Sequence, residues 1–319
     1  MPARLAKWGL LATVAALTTS TAACSPGGGD AQAEATGRGS AHGSRTSPDT
    51  TAPAAGATSS STTAPAATTP PPTSAPPAST QPVAGDWWRP TKGLSWQWQL
   101  DGGPIDMSVD ADVFDVDLFA TSAASVRTLH DRGRKVICYL SAGSWEPYRP
   151  DADQFPASVK GGAVEGWPDE RWLDIRRIDV LEPLLAARFD LCRDKGFDAV
   201  EPDWLDSFQQ DTGFDISRED QMRFNVMLAE LAHERGLAIG LKNDLDQVAE
   251  LADLYDFAVV EQCAEYSECD MLRPFLDRNK PVFHAEYDLP VSAFCADSRR
   301  LGLSSIRKRL DLDAWRETC

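Results

Sequence analysis

Two carboxylates stand at the end of a short apolar segment near the middle of the chain. Ala199 and Val200 lead directly to Glu201, Pro202 and Asp203. Proline gives no backbone N–H to a sheet, so the predicted strand ends where the acids begin. Because side chains alternate along a strand, the two acids point to the same side, with Glu201 one layer deeper. We therefore expect Asp203 to do chemistry at the end of a strand and Glu201 to support it from below.

Other predicted strands also end in polar residues. Asp117 is typical of a strand-to-helix turn as well. For Lys242, a salt bridge that neutralises the acids is a simpler interpretation than a Schiff base. The polar residues near these strand ends are Asp117, Glu146, Arg149, Lys242, Asn243, Glu261, Glu286 and Tyr287.

The elements that carry these residues repeat a pattern of helix, glycine and strand. Helices are predicted at 122–130, 178–195, 217–235, 246–253, 271–278 and 292–301, and strands at 93–100, 113–119, 135–141, 197–200, 237–241, 257–261, 281–286 and 303–306. This alternation allows an open doubly wound sheet or a closed barrel. Eight units in one domain-sized segment favour a single (β/α)₈ TIM barrel, whose active sites lie at the carboxyl ends of its strands.

Five tryptophans lie on or near the same predicted rim. The flat faces of indole rings stack against the apolar faces of sugar rings, although each tryptophan alone is more typical of packing. Together, beside a group of acids, they favour a carbohydrate ligand. They are Trp96, Trp98, Trp145, Trp172 and Trp204.

The N-terminal residues 1–24 have the layout of a secretory signal. Arg4 and Lys7 precede an apolar run that is too short to span a bilayer, and small residues follow it. The small residues before Cys24 resemble a bacterial lipobox, so Cys24 is expected to be lipidated. Thr21 departs from the usual leucine of that motif, which leaves ordinary cleavage nearby as the alternative. The prediction is an extracellular lipoprotein held at the outer face of a bacterial cell membrane.

Residues 25–82 consist of Ala, Thr, Ser, Pro and Gly with almost no large apolar side chain. Such a segment cannot bury enough surface to fold, so it is predicted to be a disordered linker. Residues 83–319 then form the barrel domain. The chain has 31 basic and 48 acidic residues, and the whole of that acidic excess lies in the domain. This charge argues against nucleic acid and is compatible with a cationic substrate, although a soluble secreted surface explains it equally well.

Seven cysteines are present, and six remain once Cys24 is set aside. An even number in an exported domain predicts three disulfides. Six cysteines allow fifteen pairings, so spacing supports only a provisional assignment. That assignment pairs Cys263 with Cys269, Cys295 with Cys319, and Cys138 with Cys192.

Several segments of the domain match one known family in order along the chain, from residue 93 to residue 310. They are Trp96-Gln97-Trp98-Gln99-Leu100, Tyr139 to Glu146 with Arg149, Glu201-Pro202-Asp203, Leu241-Lys242-Asn243 and Glu261-Gln262-Cys263. In these segments the chain resembles glycoside hydrolase family 114, the endo-α-1,4-polygalactosaminidases. The resemblance implies a (β/α)₈ barrel that hydrolyses α-1,4-linked galactosamine polymers without a metal or organic cofactor.

By motif position, Asp203 and Glu261 correspond to that family's paired acids. Analogy with related barrels assigns Asp203 as nucleophile and Glu261 as general acid/base, which gives net retention. Retention requires carboxyl groups about 5–5.5 Å apart, whereas inversion requires about 6.5–9.5 Å. The residues expected to bind substrate are Trp96, Asp117, Glu146, Arg149, Glu201, Trp204, Lys242, Asn243, Glu286 and Tyr287.

Two other functions compete with this prediction. The first is a non-catalytic barrel at the cell surface that binds polysaccharide through its aromatic rim. The second is a metal-dependent hydrolase, which is disfavoured because the domain offers only His130, His233 and His284 as histidine ligands. In each case the partner is a polysaccharide rather than nucleic acid, membrane contact is limited to the lipid anchor, and a monomer is expected.

Overall fold

A computed structural model describes residues 85–319 of the chain. The predicted signal segment 1–24, its lipidation site Cys24 and the predicted linker 25–82 lie outside the described residues. Within residues 85–319, no helix is long and apolar enough to cross a membrane.

Eight parallel strands form the centre of the structure. The strands in chain order are β1 (Trp96–Gln99), β2 (Val113–Asp117), β3 (Lys135–Ser141), β4 (Ser144–Trp145), β5 (Lys160–Val164), β6 (Trp167–Leu173), β7 (Ala199–Asp203), β8 (Ala238–Lys242), β9 (Phe257–Glu261), β10 (Val282–Glu286), β11 (Ser304–Arg307) and β12 (Glu317–Thr318). The parallel order is β1-β2-β3-β7-β8-β9-β10-β11, and β12 pairs antiparallel with β11. The predicted TIM barrel is confirmed.

Helices follow six of the eight barrel strands. They are α1 (Ala123–Asp131), α2 (Ile178–Lys195), α3 (Arg218–Glu234), α4 (Val248–Leu251), α5 (Arg273–Asp277) and α6 (Val291–Leu301). Ser217 and Asp220 form a reciprocal capping box that starts α3. Gly196 ends α2 with φ of 90°, a left-handed conformation that glycine adopts without strain, and so turns the chain into β7.

A three-stranded antiparallel sheet is inserted between β3 and α2, and the sequence patterns did not predict it. Its strand order is β4-β6-β5, and we call it the inserted sheet. β4 has only two residues and β5 contains two glycines, so neither shows the period-two alternation that identifies a strand. The inserted sheet stands at the carboxyl end of β3 and so forms a wall beside the predicted site.

The barrel interior is filled by aromatic side chains facing very small ones. Trp96 packs with its ring centroid 5.6 Å from that of Trp98 and 5.2 Å from that of Phe283. Opposite them, Gly240 leaves room for Phe257: a Cβ at residue 240 would lie 2.3 Å from that ring. Large and small residues must therefore alternate around the barrel for its core to close.

Three disulfides join Cys138 to Cys192, Cys263 to Cys269 and Cys295 to Cys319. The pairing assigned provisionally from spacing is the one formed. The first links β3 to α2, the second closes the loop after β9, and the third holds the C-terminus against α6. Three such bonds fit an extracellular protein.

Candidate active site

The carboxyl ends of the barrel strands open into a cavity of about 690 Å³. Binding sites of this fold lie at this end of the barrel, and the volume is in the range of ligand-binding clefts. Nine of the predicted site residues line the cavity: Asp117, Glu146, Arg149, Asp203, Trp204, Lys242, Asn243, Glu261 and Tyr287.

Lys242, at the end of β8, is the centre of the site. Its ammonium nitrogen lies 3.0 Å from Asp203 Oδ1, 3.5 Å from Glu261 Oε2 and 3.4 Å from Glu201 Oε1. Burial alone would lower the pKa of Lys242, but the three carboxylates outweigh burial and raise it well above its usual value. Lys242 is therefore a permanent cation, as the salt-bridge interpretation predicted.

Asp203, the last residue of β7, accepts hydrogen bonds on both carboxylate oxygens. Tyr139 Oη donates to Oδ2 at 2.8 Å, while Lys242 and the backbone N–H of Trp204 donate to Oδ1 at 3.0 and 2.8 Å. Burial, followed by the charge of Asp203, raises the pKa of Tyr139 well above its usual value, so the phenol stays a donor. These three donors fix the orientation of the Asp203 carboxylate.

Glu261, the last residue of β9, faces the same cavity. Asn243 donates from Nδ2 to Glu261 Oε2 at 3.2 Å and accepts the Glu261 backbone N–H at 3.0 Å. The Tyr287 hydroxyl donates to Oε1. Burial and then the charge of Glu261 raise the pKa of Tyr287 well above its usual value. Asn243 and Tyr287, which were both predicted to bind substrate, thus hydrogen-bond to Glu261 and position it.

The residues that follow the three site-bearing strands have left-handed backbones. Trp204, Asn243 and Gln262 have φ of 63°, 50° and 57°. Such values are uncommon outside glycine and concentrate at functional sites. Gly143 makes room for the first of them, because a Cβ there would lie 2.1 Å from the Trp204 carbonyl oxygen. The strained turns direct the chain away from the barrel immediately after each functional side chain.

Beneath these groups, Glu201 is buried and touches Lys242 rather than the cavity. Trp98 Nε1 donates to Glu201 Oε2 at 3.2 Å. Burial raises the pKa of Glu201, and the charge of Lys242 opposes this effect. Asp115, on β2, is buried beside Glu201, and its pKa is raised well above its usual range, first by burial and then by the Glu201 charge. This shift favours the protonated form of Asp115 beside Glu201, a role that the sequence patterns did not indicate.

Arg149 forms the opposite wall of the cavity together with two acids. Its guanidinium lies 2.5 Å from Asp117 Oδ2 and 2.7 Å from Glu146 Oε1. All three line the cavity, as predicted, but their charged groups are largely engaged with one another. Their mutual contacts therefore hold the shape of this wall.

The structure places three predicted binding residues away from the cavity: Glu201, Trp96 and Glu286. Trp96 has only 1% of its surface exposed and donates from Nε1 to the Ser304 carbonyl, so it is core. Glu286 is fully buried and accepts from the backbone N–H of Ala264 while hydrogen-bonding to His284. Strand alternation gives the side of the strand on which a residue lies but not its depth in the barrel, so the sequence could not distinguish these buried positions from the rim.

Within the described residues, one group of possible metal ligands lies close together. Cys263, Cys269 and His284 have ligand atoms within 4.8 Å of one another. The two sulfur atoms form a disulfide, so neither is a thiolate.

Comparison with known proteins identifies the family. Residues 77–319 match the model of glycoside hydrolase family GH114. The structure of Ega3 from Aspergillus fumigatus in complex with galactosamine is 39% identical over 74% of this chain and 99% of that chain, with a TM-score of 0.71.

The glycoside hydrolase domain of PelA from Pseudomonas aeruginosa is 18% identical over 71% of this chain and 99% of that chain, with a TM-score of 0.56, which shows a shared fold. No curated protein sequence matches the chain. With a family match over most of its length and its acids at the carboxyl ends of a barrel, the chain belongs to glycoside hydrolase family GH114 and is a glycoside hydrolase.

Proposed function

We propose that this hydrolase cleaves α-1,4-linked galactosamine polymers within the chain, with Asp203 and Glu261 as its two acids. One observation carries the proposal: both carboxylates contact the same Lys242 ammonium and face the same cavity. Glycoside hydrolysis needs two carboxyl groups that flank one bond. The galactosamine in the related Ega3 structure supports this sugar as the substrate unit.

Asp203 acts as the nucleophile in this proposal. Glu261, protonated, gives its proton to the glycosidic oxygen while Asp203 bonds to the anomeric carbon and the leaving sugar departs. Glu261, now charged, then takes a proton from water, whose oxygen attacks the anomeric carbon and breaks the bond to Asp203. Two inversions give net retention, and the enzyme returns to its starting protonation state.

The spacing of the two acids supports retention. Because both oxygens contact Lys242 Nζ, Asp203 Oδ1 and Glu261 Oε2 lie no farther apart than the sum of those two contacts, about 6.5 Å. That limit is the lower edge of the inverting range. A separation below that limit is compatible with retention, for which the two carboxyl groups stand about 5–5.5 Å apart.

The charge of the cavity favours an amine-bearing chain. Its acidic lining residues outnumber the basic ones, which are Arg149 and Lys242. A concave site of one sign concentrates ligands of the opposite sign, and de-acetylated galactosamine units are cationic. The acids that line the cavity are Asp101, Asp117, Glu146, Glu170, Asp203, Glu261 and Asp311.

We expect the purified protein to release oligomers from de-acetylated α-1,4-galactosamine polymer. Its kcat/KM should exceed that on the fully N-acetylated polymer by about tenfold or more at low salt, because an amine gains about 1.4 kcal/mol or more from a charge-assisted contact. Raising the salt concentration should reduce this preference. Oligomer release is followed by mass spectrometry, and the anomer formed first, expected to be α, by proton NMR.

Equal rates on the two polymers, unchanged by salt, would refute the electrostatic part of the proposal. A β anomer as the first product would refute retention and the nucleophile role of Asp203. The Asp203→Asn variant, which is expected to be inactive, is the negative control for both measurements.

We also propose that the enzyme is exported and anchored through a lipid on Cys24. The lipobox-like sequence before Cys24 supports the anchor, and the three disulfides fit the compartment. In a bacterial host, Cys24→Ser should move the protein from the membrane fraction to the medium and abolish incorporation of labelled palmitate. Membrane retention of this variant would contradict the lipid anchor.

A further inference from the structure

Most of the exposed large apolar side chains gather at one cleft. Among the described residues, four such side chains are strongly exposed: Tyr148 at 62%, Leu310 at 57%, Trp167 at 51% and Tyr266 at 47%. All except Tyr266 line the cavity above the two acids. Leaving large apolar surface in water costs free energy, so its concentration around one cleft marks a binding surface.

Trp167 lies at the far end of this cleft from the acids. It is the first residue of β6 in the inserted sheet. Five residues along the same strand, Trp172 packs edge-on against Trp204, the neighbour of Asp203. Trp167 pairs with Val164 across the Glu165-Gly166 turn and so stands at the tip of the β5–β6 hairpin, whereas Trp172 pairs with Ser144 at the barrel end of the inserted sheet. The indole of Trp167 is therefore remote from the bond that is cleaved.

Glu170 lies between these two points and has an unusual hydrogen-bond arrangement. The single Tyr148 hydroxyl lies 2.9 Å from Glu170 Oε1 and 3.0 Å from Glu146 Oε1. One hydroxyl proton cannot satisfy two carboxylates. Glu146 is ion-paired with Arg149 at 2.7 Å, so Glu170 is the acid that can hold the additional proton.

The proton on Glu170 is exchangeable near neutral pH. Burial first, and then the charge of Glu146, raise the pKa of Glu170 to about 7. The other acid acting on it is Asp203, and Ser144 Oγ donates to Glu170 Oε2 at 2.8 Å. A ligand cation that replaces this proton would supply the missing donors, because an ammonium carries three.

We propose that the inserted sheet forms a distal subsite, in which Trp167 stacks on the ring of a hexosamine unit and Glu170 binds its ammonium together with Tyr148. The subsite rests on the proposed function, since it takes a further unit of the same polymer. This subsite explains why the acid Glu170 and the exposed indole of Trp167 lie on the same strand. It also makes long chains better substrates than short ones.

The test measures kcat and KM on α-1,4-galactosamine oligomers of defined length. Trp167→Ala is expected to raise KM about 5- to 10-fold for oligomers long enough to reach the inserted sheet and to leave the shortest cleavable oligomer unchanged. Glu170→Gln should reduce the preference for free amine over N-acetyl in long oligomers by about tenfold. Tyr266→Ala is the matched control, because Tyr266 is similarly exposed but lies outside the cavity.

Three results would overturn the subsite: no change in KM in Trp167→Ala, an equal change at every oligomer length, or the same change in Tyr266→Ala. Failure of the proposed function is distinguishable, because the wild-type protein would then cleave none of these oligomers. In that case, calorimetric titration of Asp203→Asn and of Asp203→Asn with Trp167→Ala decides the subsite alone. Equal affinity of both for long oligomers would refute it.

Discussion

Asp203→Asn is expected to lower kcat on galactosamine polymer by at least about 10⁴-fold, the scale of removing a catalytic nucleophile. The amide keeps the shape of the side chain. Its oxygen can accept from Lys242 and the Trp204 N–H, and its nitrogen can donate to the Tyr139 hydroxyl. The fold should therefore survive while the bond to the anomeric carbon cannot form. Glu261→Gln, which removes the acid/base, should cost about 10²–10⁴-fold.

Asp206→Asn is the matched control for this experiment. Asp206 follows Asp203 by three residues and is also partly buried, but it does not line the cavity. Its side chain accepts a hydrogen bond from Gln210 Nε2, a contact that the oxygen of an amide can keep. Kinetics and thermal unfolding are measured on each variant. Activity within about tenfold of wild type in Asp203→Asn would contradict the nucleophile assignment.

Lys242→Met is expected to cause the second large effect, on stability and on activity together. Methionine matches the length of the lysine stem but leaves Glu201, Asp203 and Glu261 facing one another without a cation. Breaking a buried ion pair in this way costs about 3–5 kcal/mol of unfolding free energy. The activity should fall by at least about 10²-fold, because the field that orients the two acids is lost.

The pH profile separates this effect from simple destabilisation. Removing a cation favours the protonated form of nearby carboxyl groups, so the acidic limb of kcat/KM should move to higher pH in Lys242→Met. Lys280→Met is the control. Lys280 is also largely buried, but its ammonium donates to the Ala252 and Tyr255 carbonyls. If Lys280→Met moves the profile equally, Lys242 has no special part in the site.

Much of the fold follows from local patterns in the sequence. The glycine after α2, the capping box of α3 and the apolar strands place each element by interactions between residues close in sequence. The polar ends of β7, β8 and β9 could be located for the same reason, since parallel strands end at a common rim. The provisional disulfide pairing is the one formed, although only the bond between Cys263 and Cys269 closes a short loop.

The inserted sheet was not predictable from the sequence. Its strands pair residues far apart along the chain, such as Ser144 with Trp172, and neither short strand shows a period. The exposed position of Trp167 depends on that pairing. The expectation that tryptophans bind the sugar therefore selected a suitable residue type, but Trp96 is buried in the core of the barrel.

The partners of Asp203 were only partly accessible to sequence reasoning. Strand alternation could have selected Tyr139, which points to the same side of β3 as Ser141. Its hydrogen bond to Asp203, however, joins β3 to the neighbouring strand β7, and the sequence does not show that pairing. The sequence patterns did not single out Asp115, because an acid buried within an apolar strand looks the same in the sequence as an acid that faces a turn. Its role depends on the neighbour, Glu201, that the barrel brings to it.

Local patterns were enough to place Glu201 and Asp203 at the end of a strand of an eight-stranded barrel, because strand periodicity and helix caps depend on residues close in sequence. Which of the two acids is buried and which faces the cavity depends on contacts between distant strands. Closing the barrel places the Lys242 ammonium between Glu201, Asp203 and Glu261, leaving the first buried and the other two at the cavity. The burial of each acid and the charges around it are set by contacts between strands, so neither can be read from the residue itself.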